Sequence, residues 1–162
     1  MFTVDADKVT RFQSHDLSIH AFSASDVHIR YASESDDLFL NRVSIAKPEG
    51  WDERSPSGKS GPYPAFAGPL SVRWRSLDRT EHACELDLAE LMPEPKILLP
   101  ANMDDIDWEM PLLDPEPTLI VEIDDRKLSL YMHAIFRLRP DSLGAGRPRL
   151  SRQKTLVYSK VF

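Results

Sequence analysis

The sequence predicts a mainly β, antiparallel, sandwich-like single domain with little helix. Apolar residues alternate with polar ones in several short runs, and clusters of Gly, Pro, Asp and Ser separate those runs. Hydrophobic residues make up 41% and charged residues 28% of the chain, which is typical of a globular protein. A chain of 162 residues has the size of one domain, so we expect residues 1–162 to share one core. An α+β fold is the alternative architecture.

Two short runs near the start predict the first strands. Leu17, Ile19 and Ala21 alternate with mostly polar residues, and the same alternation recurs over 27–31. Residues 23–26 are the expected turn between the two strands. Residues 38–45 are expected to continue the sheet.

Proline and glycine are concentrated at about 46–69, which predicts a long loop because they disfavour helices and central strands. Loops of this length are uncommon inside compact domains and are often functional. This one carries Trp51, Tyr63 and Phe66. Two interpretations stay open: these aromatic side chains pin the loop onto the core, or they contact a partner.

Two hairpins are predicted in the second half of the chain. From 70 to 88 the alternation continues on both sides of a turn at 76–81 and places Cys84 on the inward face, as a small apolar residue. From 118 to 138 two β-type runs flank a turn at 124–126. The second run has an apolar face, with Leu128, Leu130, Met132, Ala134, Phe136 and Leu138, and a polar face, with Lys127, Ser129, Tyr131, His133, Ile135 and Arg137.

Three shorter features complete the predicted organisation. Residues 87–92 suit one helical turn, closed by Pro93 and Pro95, and 97–99 form a short buried run. A Gly/Pro/Arg loop at 140–148 precedes a terminal strand at 155–162.

The net charge of -6 is unevenly distributed. Acidic residues occur throughout 81–125, where Lys96 is the sole lysine or arginine, whereas the C-terminal segment 141–162 is basic. Such asymmetry bears on partners and association rates. The acidic middle would repel phosphates and the basic segment lacks interleaved aromatic residues, so we expect no nucleic-acid partner.

The sequence contains no recognisable catalytic, cofactor or metal motif. The histidines lack metal-ligand spacing, and we expect His20, His28 and His133 to be exposed on polar strand faces. Gly58-Lys59-Ser60 resembles the end of a phosphate-binding loop, but Glu53 stands where that loop needs a glycine. We therefore assign no catalytic residue, no metal ligand and no cofactor, and expect the protein not to be an enzyme.

An acidic run suggests a partner-binding site instead. A calcium loop counted from Asp104 would need glycine at its sixth position and an acid at its twelfth, and has Glu109 and Pro115 there. A solvated loop without function is the alternative for this run. The candidate contacts are Asp104, Asp105, Asp107, Trp108 and Glu109, with Trp51 and Tyr63 as aromatic anchors of the kind that interface hot spots favour.

Segments 69–78, 86–88 and 117–126, with Tyr131 and Met132, resemble small bacterial proteins encoded beside type VI secretion effectors and thought to act as their immunity proteins. The likeness covers the middle and later half of the chain and consists of hydrophobic and turn patterns. It implies a protein that binds a toxic effector made by the same cell and blocks its active site or a required movement. Many such proteins act in the periplasm.

The first residues have neither a basic start nor an apolar run, so we expect a cytoplasmic protein, or a periplasmic one if a signal sequence has been removed. The longest apolar stretches are too short to span a bilayer.

Two other functions remain open. An enzyme would need His15, His82 or His133 to meet a carboxylate in a cleft, and an adaptor subunit of a secretion apparatus would need a permanent, more apolar interface. The sequence does not determine whether the chain forms homo-oligomers.

Overall fold

The computed structural model describes residues 9–31, 37–51, 58–99, 103–139 and 149–162. Strands dominate them, which confirms the prediction of a mainly β fold with little helix. The strands are β1 (Ser14–Phe22), β2 (Ala24–Tyr31), β3 (Asp37–Leu40), β4 (Ser60–Pro64), β5 (Leu70–Ser76), β6 (Glu81–Leu86), β7 (Thr118–Asp124), β8 (Lys127–Leu138) and β9 (Arg149–Val161). A short helix α1 (Leu88–Leu91) follows β6, and a 3-10 turn (Met103–Asp105) precedes β7.

The strands form two sheets, one of five strands in the order β4-β1-β7-β8-β9 and one of four in the order β3-β2-β5-β6. Neighbouring strands are antiparallel with one exception. Strand β1 runs parallel to β7, with Leu17 opposite Leu119 and Phe22 opposite Asp124. The predicted sandwich therefore contains one parallel pair, which joins segments about a hundred residues apart.

The core lies between the two sheets. The predicted alternation on β5 is confirmed, because Leu70, Val72 and Trp74 are buried. The apolar face of β8 is also buried from Leu128 to Phe136, while Leu138 at the strand end is half-buried. Side chains from both sheets contribute to the same cluster, so the removal of apolar surface from water holds the sheets together.

Part of the predicted loop at 46–69 is a strand, and that part of the prediction is wrong. Strand β4 pairs with β1, with Tyr63 opposite His15 and Ser60 opposite Leu17. It lies at the edge of its sheet, where a proline costs no ladder hydrogen bond on the open side. Pro62 is therefore compatible with this strand although it would disrupt a central one.

Two other boundaries differ from the prediction. Strand β3 ends at Leu40, well before residue 45, and β9 begins at Arg149, earlier than the predicted 155. Strand β9 pairs with β8 along its whole length, from Lys127 opposite Val161 to Leu138 opposite Arg149. This partner extends the strand into polar sequence that lacks a clear alternation.

The helical turn predicted at 87–92 is confirmed. The side chain of Asp87 accepts hydrogen bonds from the backbone N–H groups of Ala89 and Glu90, as an N-cap residue does. The chain then runs through Pro93 and Pro95, which prevent the helix from continuing. The predicted buried run at 97–99 begins at Ile97, which is fully enclosed, whereas Leu98 is exposed.

Candidate partner-binding surface

The acidic segment, which we define as residues 103–116, is held against the far end of β8. The N–H of Asp107 donates to Arg137 O at 2.9 Å and the N–H of Arg139 donates to Asp105 O at 2.8 Å. Farther along, Leu113 N–H donates to Ile135 O at 3.0 Å. The segment thus occupies, beside residues 135–139, the position that β7 occupies beside the rest of β8. Its backbone has fixed partners, which indicates an ordered surface.

The carboxylates of this segment face solvent. Asp104, Asp105 and Glu109 are exposed, and Asp107 is half-buried. One oxygen of Asp107 accepts from the N–H of Glu109 at 3.1 Å. Within the described part of the chain, Asp104, Asp107, Glu109 and Asp114 form no ion pair. These negative charges are therefore available to a positively charged partner.

Exposed apolar side chains lie among these carboxylates. Met110 is 59% exposed and Leu113 is 43% exposed, while Trp108 is half-buried and packs against the core. Apolar contact area surrounded by charge is typical of interfaces between proteins. Met110 and Leu113 were not among the predicted contacts, because the prediction considered only charged and aromatic residues. The usable signal was the presence of large apolar residues within an otherwise acidic loop.

The negative charge extends from this segment to the start of β1. The Oγ of Ser14 donates to Glu116 Oε1 at 2.8 Å. The pKa of Asp16 is raised, chiefly by partial burial and further by the charges of Glu116 and Asp114, against the opposing effect of Lys59. Repulsion between these carboxylates makes a cationic partner favourable here.

The structure does not bring Trp51 to the acidic segment. The ring of Trp51 lies 5.2 Å from that of Phe22, at the end of β1 that pairs with Asp124 beside Lys127. The acidic segment lies beside 135–139 of β8, about 25 Å farther along that strand at roughly 3.3 Å per residue. Trp51 remains exposed but belongs to another surface.

Tyr63 lies on the edge strand β4, opposite His15, and so comes near only the Glu116 end of the acidic segment, which is bonded to Ser14. Its ring packs edge-on against Tyr31 at 4.9 Å, and its hydroxyl donates to Ser60 Oγ at 3.1 Å. The contact with Tyr31 joins β4 to the four-stranded sheet, and the bond to Ser60 lies within β4. Of the two interpretations of the loop aromatics, Tyr63 and Phe66 fit the one in which they pack against the core.

The prediction that His133 is exposed is wrong, since only 3% of it is accessible, and His20 and His28 are half-buried. The polar face of the five-stranded sheet is covered near its centre. Glu122 on β7 is buried there and accepts from Lys47 Nζ at 3.1 Å, so the segment that carries Lys47 lies over the sheet. The covering segment is distant in sequence, and strand periodicity carries no information about it.

A pocket of about 430 Å³ on the four-stranded sheet contains His82 beside two acids, Asp26 and Glu81, as the enzyme alternative requires. Its charges are already paired, however. Arg75 lies 3.4 Å from Asp26 and 2.7 Å from Glu81. The Nε2 of His82 faces Ser76 Oγ at 2.9 Å, so His82 pairs with a hydroxyl and with neither acid. His82 therefore forms no acid/base pair with Asp26 or Glu81.

Cys84 is half-buried, and burial raises the pKa of its thiol. A raised pKa lowers the thiolate fraction and disfavours nucleophilic reactivity.

Among the described residues there is no cluster of three His, Cys, Asp or Glu side chains suited to a metal ion. In that same part of the chain, no helix has the length and apolar character needed to cross a membrane.

Comparison with known proteins gives no match: no family model, no curated protein and no solved structure shows significant similarity to this chain.

Proposed function

We propose that this protein is an immunity protein that binds a cognate toxic effector and occludes the active site of that effector with its acidic segment. The observation that carries the proposal is the set of solvent-facing, unpaired carboxylates at Asp104, Asp107 and Glu109 on a backbone fixed to β8. The resemblance of 69–78 and 117–126 to such proteins supports the same function.

Electrostatic attraction accounts for the first step of binding. Carboxylates concentrated on one segment attract a basic cleft and raise the association rate, and they pair with its arginine or lysine side chains on contact. Met110 and Leu113 supply apolar area that is removed from water in the complex.

The fixed backbone accounts for the second step. A loop that is already ordered loses little conformational entropy on binding, so more of the interaction energy appears as affinity. In this proposal the protein works in the cytoplasm, or in the periplasm if a signal sequence is removed.

Partner capture followed by a toxicity assay tests the proposal. The tagged chain is purified from its native cells, its stoichiometric partner is identified by mass spectrometry, and that partner is expressed alone and together with the chain. The proposal predicts growth arrest by the partner alone and normal growth with the chain. Recovery of no stoichiometric partner, or of one that is harmless alone, would contradict it.

Charge reversal then tests the surface. The variant D104K/D107K/E109K should fail to restore growth. The matched control E49K/E85K/E90K makes the same change in net charge at three exposed acids outside the segment, and it should protect the cells as the wild type does.

A further inference from the structure

Strand β9 lies at one end of the order of the five-stranded sheet. It has thirteen residues and pairs with β8 on one side. In the ranges that the structure describes, no strand pairs with its other side. An open edge presents a row of N–H and C=O groups that can pair with another chain.

An apolar groove of about 410 Å³ runs beside this edge. Leu91, Met92 and Leu98, from the segment after β6, line the groove, and Leu156 and Val157 of β9 also line it. Leu98 is 36% exposed and Leu156 is 53% exposed. The groove therefore presents apolar surface to solvent next to the side of β9 that no described strand covers.

The charge around the groove favours an acidic occupant. Strand β9 contains Arg149, Arg152, Lys154 and Lys160 and no acid. Glu94 at the groove is already paired, with Lys96 at 2.8 Å and with Arg11 at 3.6 Å. A second copy of this chain pairing through β9 would join two edges that each carry four basic residues and no acid, so the like charges of the two edges would repel and neither edge would offer an acidic partner.

We infer that the β9 edge and its groove bind an extended, acidic segment of a partner protein, which adds to the sheet as a further strand. Backbone hydrogen bonds to β9 provide affinity, and alternate apolar side chains of the bound segment enter the groove beside Leu98 and Leu156. Acidic side chains of the bound segment pair with Arg152, which lies opposite Ile135 of the polar face of β8. Lys154 and Lys160 do not contribute. Lys154 lies 4.1 Å from the Tyr131 ring and reaches toward Glu122, and Lys160 lies 4.7 Å from the Phe162 ring.

This surface is separate from the acidic segment, which lies on the opposite side of β8. The inference therefore does not depend on the proposed function, and its test uses defined probes.

The probe is a fluorescein-labelled eight-residue peptide of alternating valine and glutamate, measured by fluorescence anisotropy against the full chain. Two matched peptides serve as controls, one of alternating valine and lysine and one with N-methylated glutamates that cannot donate backbone hydrogen bonds. We expect the first peptide to bind at least about tenfold more tightly than either control. Bound peptide should also slow amide exchange in residues 149–161.

Protein variants locate the binding site. Leu98→Glu should weaken binding at least about tenfold by placing a carboxylate in the groove. Val43→Glu, at an exposed apolar residue away from the groove, should bind as the wild type does. Equal affinity for the N-methylated peptide, equal affinity for the lysine peptide, or no binding up to about 1 mM would overturn the inference. Self-association of the chain that Leu98→Glu abolishes would also overturn it, in favour of a second copy.

Discussion

The Tyr31 hydroxyl lies 2.9 Å from Nε2 of His15, and this contact joins the four-stranded sheet to the five-stranded sheet. The Nδ1 of His15 lies 3.0 Å from Asp16 O, an atom that can only accept, so Nδ1 carries the proton. Nε2 then accepts from Tyr31, whose oxygen accepts from Ala67 N–H at 3.3 Å. Burial lowers the pKa of His15, so the imidazole is neutral in the folded protein at neutral pH.

This geometry predicts loss of stability in mild acid. Burial lowers the pKa of His15 below its ordinary 6.5. The unfolded chain takes up a proton at His15 near pH 6.5 and the folded protein does not, so this contribution is complete above that pH and is lost as the pH falls toward the folded pKa. Urea unfolding between about pH 7.5 and 5.5 should show the decline.

The variant His15→Gln tests the assignment. Its free energy of unfolding should depend less on pH over that range, whatever its value at neutral pH. His28→Gln, at a half-buried position, should keep the wild-type dependence. Parallel pH profiles for His15→Gln and the wild type would contradict the assignment.

Asp125 in the β7–β8 turn joins the two sheets at another point. Its carbonyl accepts from Trp74 Nε1 at 2.7 Å and its carboxylate accepts from Leu77 N–H at 2.9 Å, at a backbone φ of 52°. Asp125→Ala should lower the free energy of unfolding by about 1–2 kcal/mol, because it removes the carboxylate that accepts from Leu77 N–H and places alanine in the left-handed region. Asp125→Asn keeps an acceptor and should cost less than half as much in denaturant unfolding. Equal losses would show that neither feature matters.

Substitutions of Glu122 and Lys47, which form a buried ion pair, should have coupled effects on the free energy of unfolding. The Glu122 side chain is only 5% exposed. In Lys47→Met the Glu122 carboxylate keeps only Lys154, at 3.8 Å, as an ion-pair partner among the described residues. We therefore expect this variant to lower the free energy of unfolding by about 3 kcal/mol. The double variant Glu122→Gln/Lys47→Met removes the unpaired charge and should recover part of that loss. A double variant less stable than Lys47→Met would contradict this account.

A side chain at Gly61 in β4 should destabilise the protein. Its φ is 122°, and an added Cβ would lie 3.1 Å from Asp16 Oδ1 and 3.2 Å from His15 O. Gly61→Ala should therefore lower the free energy of unfolding by about 2 kcal/mol. Gly50→Ala is the control, since its φ of 68° is also positive but nothing lies near its Cβ position, and it should cost about 1 kcal/mol. Similar losses in both variants would show that crowding at Gly61 is relieved.

Local patterns predicted the strands that pair with a sequence neighbour. The hairpins β5–β6 and β7–β8 follow from alternation around turn residues, and the inward face of β8 follows from its period of two. Strand β4 was missed because its glycine and prolines mark loops in general, and only its place at a sheet edge makes them compatible with a strand.

Long-range contacts could not be predicted in the same way. The parallel pairing of β1 with β7 and the burial of His133 both depend on segments far away in sequence. The acidic segment was found because charge is visible in sequence. The separation of this segment from Trp51 was not visible, since it depends on strand order.

The association rate with the partner recovered from native cells tests the central claim most directly. Stopped-flow measurements would compare the wild type, D104K/D107K/E109K and E49K/E85K/E90K at low and high salt. We predict that reversal within the acidic segment lowers the low-salt rate constant at least about tenfold and removes most of its salt dependence, while the control, with the same net charge, changes it less than about threefold. Equal rate constants for the two variants would contradict the claim that the acidic segment binds the partner.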